Sequence, residues 1–440
     1  ATISAAFTKS GSQVVLLPLP ENSETLLPDW EQLKKYYQIV PRMIAAGEIL
    51  SASVVKEGGA AAAVAKMCFG NRIGFSFREN ALDARLLFAP ASGAIIAELK
   101  DGVSAESLSP VPLGQTTAEP TVMLGAENLP LEGLAHSWSG TLEKIFPGFA
   151  PEQPVKTDIP LFTQRSGKAP AVKAAKPRVF IPVFPGTNCE VDSARAFERA
   201  GAEPQVLVVR NLSAADIEET IEEMEKAIRQ SQMIMIPGGF SGGDEPDGSG
   251  KFIATTFRNP KIAEAVADLL DRRDGLMLGI CNGFQALIKL GLVPYGKIIR
   301  PNAEAPTLTF NTLGRHASRM VYTRVTSVKS PWFSCVGAGD VFAVPVSHGE
   351  GRFVAGDGVM RDLIANGQVA TQYTTPDGTP SGNITWNPNG SVCAVEGITS
   401  PDGRILGKMG HSERMGGNLY KNVPGAKDQK IFESGVKYFK

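Results

Sequence analysis

A cysteine that attacks a carbonyl needs a backbone that presents its sulfur, a group that moves protons, and donors for the oxyanion. The stretch Leu276-Met277-Leu278-Gly279-Ile280-Cys281-Asn282-Gly283-Phe284-Gln285-Ala286-Leu287 offers the first. It reads as an apolar strand running into Gly-x-Cys-x-Gly and then a helix. The flanking glycines let strand and helix approach without Cβ clashes, and the cysteine between them takes strained backbone angles. Its sulfur then leaves the C-terminal edge of a sheet, where α/β proteins bind ligands. It also sits at a helix N-terminus, whose partial positive charge favours thiolate. The alternative is a buried structural cysteine, the common fate of a free thiol.

The rival nucleophile is Cys189, in Pro185-Gly186-Thr187-Asn188-Cys189-Glu190. It too starts a helix, but it lacks flanking glycines and has a carboxylate beside it, so it reads as structural. The proton shuttle and its orienter are expected in Gly410-His411-Ser412-Glu413. In a tight turn the Glu413 carboxylate can hold one imidazole nitrogen while the other faces sulfur. By itself, His-x-Glu is a weak signal that reads more readily as an exposed turn. His348, in Ser347-His348-Gly349-Glu350-Gly351-Arg352, is the rival base. Oxyanion donors are expected from the backbone N–H groups of Gly239, in Pro237-Gly238-Gly239-Phe240-Ser241-Gly242-Gly243-Asp244, and of Asn282. Gly248-Ser249-Gly250-Lys251 suggests a phosphate loop but fails that pattern, because Glu245 holds the first glycine position and Phe252 replaces Ser or Thr.

Strands and helices alternate around these stretches. Arg178 to Val183, Gln205 to Val209, Met233 to Ile236 and Gly275 to Ile280 read as strands. Between the second and third, Ser213 with Asp216 signals an N-cap. The helix that follows puts Ile217, Ile221, Met224 and Ile228 on one face. The third and fourth are separated by a helix carrying Ile262, Val266, Leu269 and Leu270. This implies an α/β domain, a doubly wound and mostly parallel sheet, over 178–440. From about Thr307 to Val395 short strands and Gly, Pro and Asn turns suggest an antiparallel insertion. Residues 148–177 contain Pro151, Pro154, Pro160, Pro170 and Pro177 and read as a linker draped over a surface. Residues 1–147 read as α+β, with strands at Val14 to Leu19 and Ala94 to Leu99 and helices at Trp30 to Ala46 and Ala60 to Cys68.

The bulk numbers exclude more than they assign. The 440 residues, 43% hydrophobic, suffice for two or three packed domains. A net charge of −1 gives no whole-chain attraction to nucleic acid or an acidic membrane. No apolar run approaches the roughly 20 residues that span a bilayer. The start of the chain lacks the basic region of a signal peptide. The 5 cysteines form no Cys-x-x-Cys, and the 4 histidines form no His-Glu-x-x-His. No zinc site or disulfide framework is expected, and a cytoplasmic location is the simplest. The first residue is Ala1, not Met, which fits a processed product or a fragment.

Taken together, the Gly-Gly loop, the Gly-x-Cys-x-Gly elbow with Gln285 four residues after the cysteine, and the His-x-Glu resemble the class I glutamine amidotransferases. Phe184-Pro185-Gly186-Thr187-Asn188-Cys189, Pro237-Gly238-Gly239-Phe240-Ser241, Cys281-Asn282-Gly283-Phe284-Gln285 and Ser347-His348-Gly349-Glu350-Gly351-Arg352 resemble more narrowly the C-terminal part of the phosphoribosylformylglycinamidine synthases of the large single-chain type. The resemblance covers 178–440 well. It reaches weakly into 1–110, where Val54-Val55-Lys56-Glu57-Gly58-Gly59-Ala60 looks like a helix start of the synthetase domain, so 1–147 would be a partial synthetase-type domain. It implies Cys281, His411 and Glu413 as the triad, and Phe240, Gln285, Asn311 and His348 as contacts to glutamine. It implies no cofactor or metal for glutamine hydrolysis, and ATP and Mg²⁺ for the full synthetase reaction. It further implies a synthetase portion, in cis or in trans, that takes up the ammonia and makes the amidine in purine biosynthesis. Ser412 departs from the Pro that many members carry between His and Glu, and a looser turn is expected there. The alternatives are a stand-alone cysteine hydrolase of the same fold and a catalytically silent scaffold.

Overall fold

The computed structural model describes residues 2–22, 24–145, 158–167, 169–242 and 250–440. The chain divides into two units, Ala1–Ile145 and Phe146–Lys440. Of the expected linker, residues 148–157 and Lys168 lie outside the described residues. So do Gly243, Asp244, Glu245 and Gly248-Ser249.

In the first unit, seven strands form one sheet in the order β2-β4-β1-β5-β3-β6-β7. They are β1 (Gln13–Leu17), β2 (Ile49–Val54), β3 (Gly74–Phe77), β4 (Ile95–Leu99), β5 (Val111–Thr117), β6 (Thr121–Leu124) and β7 (Glu127–Pro130). Successive side chains of a strand point to opposite faces. Val14 and Leu16 therefore enter one core, with Val64 and Met67 of the helix Gly59–Phe69. Val15 and Leu17 enter another, with Tyr36 and Val40 of the helix Trp30–Ala45.

The second unit is built on a nine-stranded sheet of order β14-β13-β16-β17-β18-β11-β10-β8-β9. Its parallel half comprises β8 (Arg178–Val183), β9 (Glu203–Val208), β10 (Met233–Ile236), β11 (Leu276–Ile280) and, out of sequence, β18 (Ile405–Lys408). β10 and β11 are buried along their whole length, as continuous apolar runs covered on both faces require. The helix Ala214–Gln230 begins at Ser213, whose hydroxyl accepts from the Asp216 N–H.

The residues from Thr307 to Val395 hold β12 (Thr307–Thr309), β13 (Ala317–Val325), β14 (Val341–His348), β15 (Arg352–Val354) and β16 (Val369–Thr374); β17 (Val395–Thr399) follows. The expected insertion is therefore not a separate layer. β13, β14, β16 and β17 continue the same sheet in antiparallel pairing, joined to the parallel half through β18. At the described end of the linker segment, Phe162 bonds through its backbone to Thr326 and Val328.

Candidate active site

The parallel register decides the site. β11 pairs with β18 so that Ile280 stands beside Lys408, and the Cys281 N–H donates to the Lys408 carbonyl at 2.8 Å. Cys281 and the 409–413 turn therefore leave the same sheet edge side by side. β10, on the other flank of β11, delivers Gly238 and Gly239 to that edge, and β8 delivers the 184–189 loop. Chain order reverses between β8 and β10, the position where α/β sheets open a crevice.

Cys281 sits at φ 53° and ψ −105°, a conformation an L-residue rarely adopts. The helix Asn282–Leu290 starts immediately after it. A Cβ on Gly283 would lie 2.0 Å from the Ile236 carbonyl oxygen, and one on Gly279 would lie 2.7 Å from the Gly283 backbone. Both flanking glycines are thus required by close approach. The Cys281 sulfur is 4% exposed and lies 3.6 Å from the Ser347 carbonyl oxygen.

His411 and Glu413 are both buried, and Nδ1 of His411 lies 2.6 Å from a Glu413 oxygen. Its other nitrogen, Nε2, is buried and makes no hydrogen bond among the described residues. Burial by itself disfavours charge on His411. The Glu413 carboxylate overcomes this, and the sulfurs of Cys189 and Cys281 add to it, so the imidazole holds its proton well above the usual histidine range. Glu413 likewise resists burial and stays below the usual carboxylate range because of the His411 charge. The result is an imidazolium–carboxylate pair next to the nucleophile.

Gly238 is the keystone of this packing. A Cβ there would lie 2.7 Å from Cε1 of His411, 3.2 Å from the Cys189 sulfur and 3.4 Å from Cβ of Cys281. Gly239 takes φ 143° against the 186–188 backbone, and the Phe240 N–H donates to the Gly186 carbonyl at 2.7 Å. The Asn282 N–H, first in its helix, has no intrahelical acceptor. The Asn282 side chain ties the 238–241 loop to the elbow by accepting from the Ser241 N–H at 3.2 Å.

The four expected contact residues form one wall rather than four free hands. Gln285 donates to the Glu350 carbonyl at 2.5 Å and accepts from Asn282 at 3.0 Å, so its amide is spent on holding the 347–351 loop. Asn311 is spent similarly, donating to the carbonyls of His348 and Arg315 and accepting from the Gly351 N–H. Phe240 is half-buried, its ring 6.0 Å from that of His316. Of the four, His348 keeps a buried polar atom, Nε2, without a partner among the described residues. Its Nδ1 faces the Asn311 oxygen at 3.2 Å.

Burial, with His411 and His316 nearby, pushes His348 down to about 3. The unfolded chain takes up this proton near pH 6.5 and the native protein does not, so acid should erode stability as pH falls from about 6.5 towards 3. The full effect corresponds to about 4–5 kcal/mol. The His348→Gln variant should show a shallower loss of thermal midpoint over that range than the parent. Equal slopes would mean that His348 titrates normally.

Sequence reasoning missed two neighbours. Cys189 is completely buried, with its sulfur 3.8 Å from Nδ1 of His411 and 3.0 Å from an Arg414 nitrogen that donates to it. Its place beside His411 and Arg414 is what the sequence did not show. Donor atoms of Cys189, His411 and Glu413 lie within 4.8 Å of one another, the spacing of a ligand set, but the Arg414 guanidinium already supplies the positive charge there. The second is Lys408, whose backbone holds the nucleophile and whose side chain is buried.

With this geometry in view, comparison with known proteins is specific. The family model of the CobB/CobQ-like glutamine amidotransferase domain matches residues 176–439. A phosphoribosylformylglycinamidine synthase subunit PurQ from Treponema denticola is 36% identical over 258 residues, covering 54% of this chain and 88% of that protein. One from Dehalococcoides mccartyi is 33% identical over 273 residues, covering 60% and 98%. A chain in the structure of PurLQS from Thermotoga maritima aligns with 28% identity and a TM-score of 0.43, covering 60% of this chain and 100% of that one.

Proposed function

The chain belongs to the CobB/CobQ-like glutamine amidotransferase family, and from that premise we propose that its second unit hydrolyses glutamine and supplies ammonia for converting formylglycinamide ribonucleotide to the amidine. The observation that carries the chemistry is a strained cysteine on one parallel strand beside a buried His–Glu pair on the next. The Cys281 thiolate attacks the side-chain amide carbon of glutamine. The N–H groups of Gly239 and Asn282 receive the developing oxyanion. His411 gives its proton to the departing nitrogen, which leaves as ammonia, and a glutamyl thioester remains. Water, deprotonated by His411, then cleaves the thioester to glutamate and restores the thiol.

The substrate of the coupled reaction follows from the PurQ relatives, which resemble only the second unit. In this chain that unit is joined to another folded unit. This favours the large single-chain arrangement, in which glutaminase and synthetase portions share one polypeptide. No helix among the described residues is long and apolar enough to cross a membrane, and a cytoplasmic enzyme is the reading proposed here.

We infer that residues 1–145 do not by themselves carry out the ATP-dependent step, which needs carboxylates free to hold Mg²⁺ on the triphosphate. The buried carboxylate of this unit, Glu98, is spent on Ser51, Thr8 and the Lys9 N–H. The Gly58-Gly59 pair opens a helix without a side-chain cap. We assign the ATP-dependent step to a further synthetase portion. The purified chain should release glutamate from glutamine, slowly, but form no amidine from ATP, Mg²⁺, formylglycinamide ribonucleotide and ammonium chloride. Ammonium bypasses the triad, so phosphate release coupled to amidine would refute the division of labour. Absence of any glutamate release or thioester would refute the glutaminase.

A further inference from the structure

The turn that carries His411 is mounted on a fully buried ion pair. Lys408 and Glu396 are both 0% exposed, with Nζ 3.2 Å from the carboxylate. The ammonium donates to the Gly410 carbonyl at 2.6 Å and to the Ser412 hydroxyl at 3.0 Å, and it faces the Glu396 carboxylate across the ion pair. The same Glu396 oxygen accepts from the Gly410 N–H at 2.5 Å, and its other oxygen accepts from Thr371. Ser412 donates to the Gln429 amide oxygen at 2.5 Å, and the Gln429 amide nitrogen donates to Thr323 at 3.1 Å. Gly410 is thus gripped by both backbone groups and Ser412 by its hydroxyl, one residue on each side of His411.

Burying two charges is costly, and an apolar pair of similar volume would hold the fold as well or better. What the apolar pair could not do is fix a backbone N–H, a carbonyl and a hydroxyl at once. We propose that Lys408 and Glu396 are positioning residues for the general base, with β13, β16 and β17 serving as their mount through Thr323, Thr371 and Glu396. This rests on reading Cys281, His411 and Glu413 as the triad. It also gives Ser412 a role. Its hydroxyl accepts from Lys408 and donates to Gln429, so the turn is held from two sides. Lys408 serves both partners, since its carbonyl holds the Cys281 N–H while its ammonium holds the turn.

The test is the full chain carrying Lys408→Met together with Glu396→Gln, which leaves no unpaired buried charge. The expected result is a folded protein whose kcat for glutamine falls about 10- to 100-fold, as a misplaced catalytic group implies, with KM within about threefold of the parent. The time profile of Cys281 alkylation by iodoacetamide should slow, because His411 is no longer held beside the sulfur. Ser412→Ala, which removes one link of the network, should lower kcat about 3- to 10-fold with the same KM; it decides the matter by the same readouts if the double variant does not fold. A folded variant with parental kcat and an unchanged alkylation profile would overturn the proposal. A parent chain without glutaminase activity would instead overturn the triad reading, and the alkylation profile would still report on the mount.

Discussion

Cys281→Ala should abolish glutamine hydrolysis, with a loss on the order of 10⁵–10⁶-fold, the scale seen when the nucleophile of a triad is removed. The loss should fall on the chemical step, because without sulfur no thioester forms and His411 has no partner to serve. Stability should change little. Among the described residues the sulfur makes only a long approach to the Ser347 carbonyl beside its neighbour His411, and alanine meets the same backbone strain at φ 53° that cysteine does. A glutamine-like electrophile should add one mass increment to the peptide containing Cys281 and none to that containing Cys189. Cys189 is the demanding control, since both sulfurs adjoin His411. It is fully buried, accepts from Arg414 and faces the Nδ1 side of the ring that Glu413 occupies. Labelling at Cys189 with Cys281 untouched would reverse the assignment.

His411→Ala should cost about 10²–10⁴-fold in thioester formation, the usual contribution of a positioned acid–base group, with a much smaller change in glutamine affinity. His348→Ala should do the opposite, raising KM and leaving kcat within a few-fold. The two residues differ in their partners. Glu413 sits on Nδ1 of His411 and holds a proton on that ring, whereas the neutral amide of Asn311 faces Nδ1 of His348. Burial keeps His348 down at about 3, so near neutral pH it can accept a hydrogen bond but cannot hold a proton for transfer. Steady-state kcat and KM for both variants settle the roles. A kcat defect in His348→Ala with His411→Ala unimpaired would show that the base had been misidentified.

The elbow was legible in sequence because everything it needs is local. A buried strand, two glycines demanded by close approach and a helix occupy Leu276 to Leu290, and the structure places them within a residue of the reading. The alternation from Arg178 onward was legible for the same reason, since apolar period and capping are properties of neighbouring residues, as Ser213 and Asp216 illustrate. His411 and Glu413 had no local support. They meet Cys281 because β18 returns to pair with β11, a long-range choice that no window of sequence contains. The place of Cys189 beside Arg414 and His411 was not legible, because those residues follow β18, which joins the sheet beyond β10 and β11. Lys408 was invisible for a related reason: a lysine at the end of a short apolar strand looks solvated. Only the antiparallel half of the sheet, closing over it with Glu396, Thr371 and Thr323, turns it into a buried support. Sequence alone thus determined the elbow cysteine, its turn and the parallel unit that carries it, because short-range sterics and periodicity dictate those. Strand pairing decided which base, which thiol and which buried charges surround it, because groups distant along the chain become neighbours only when the sheet is assembled.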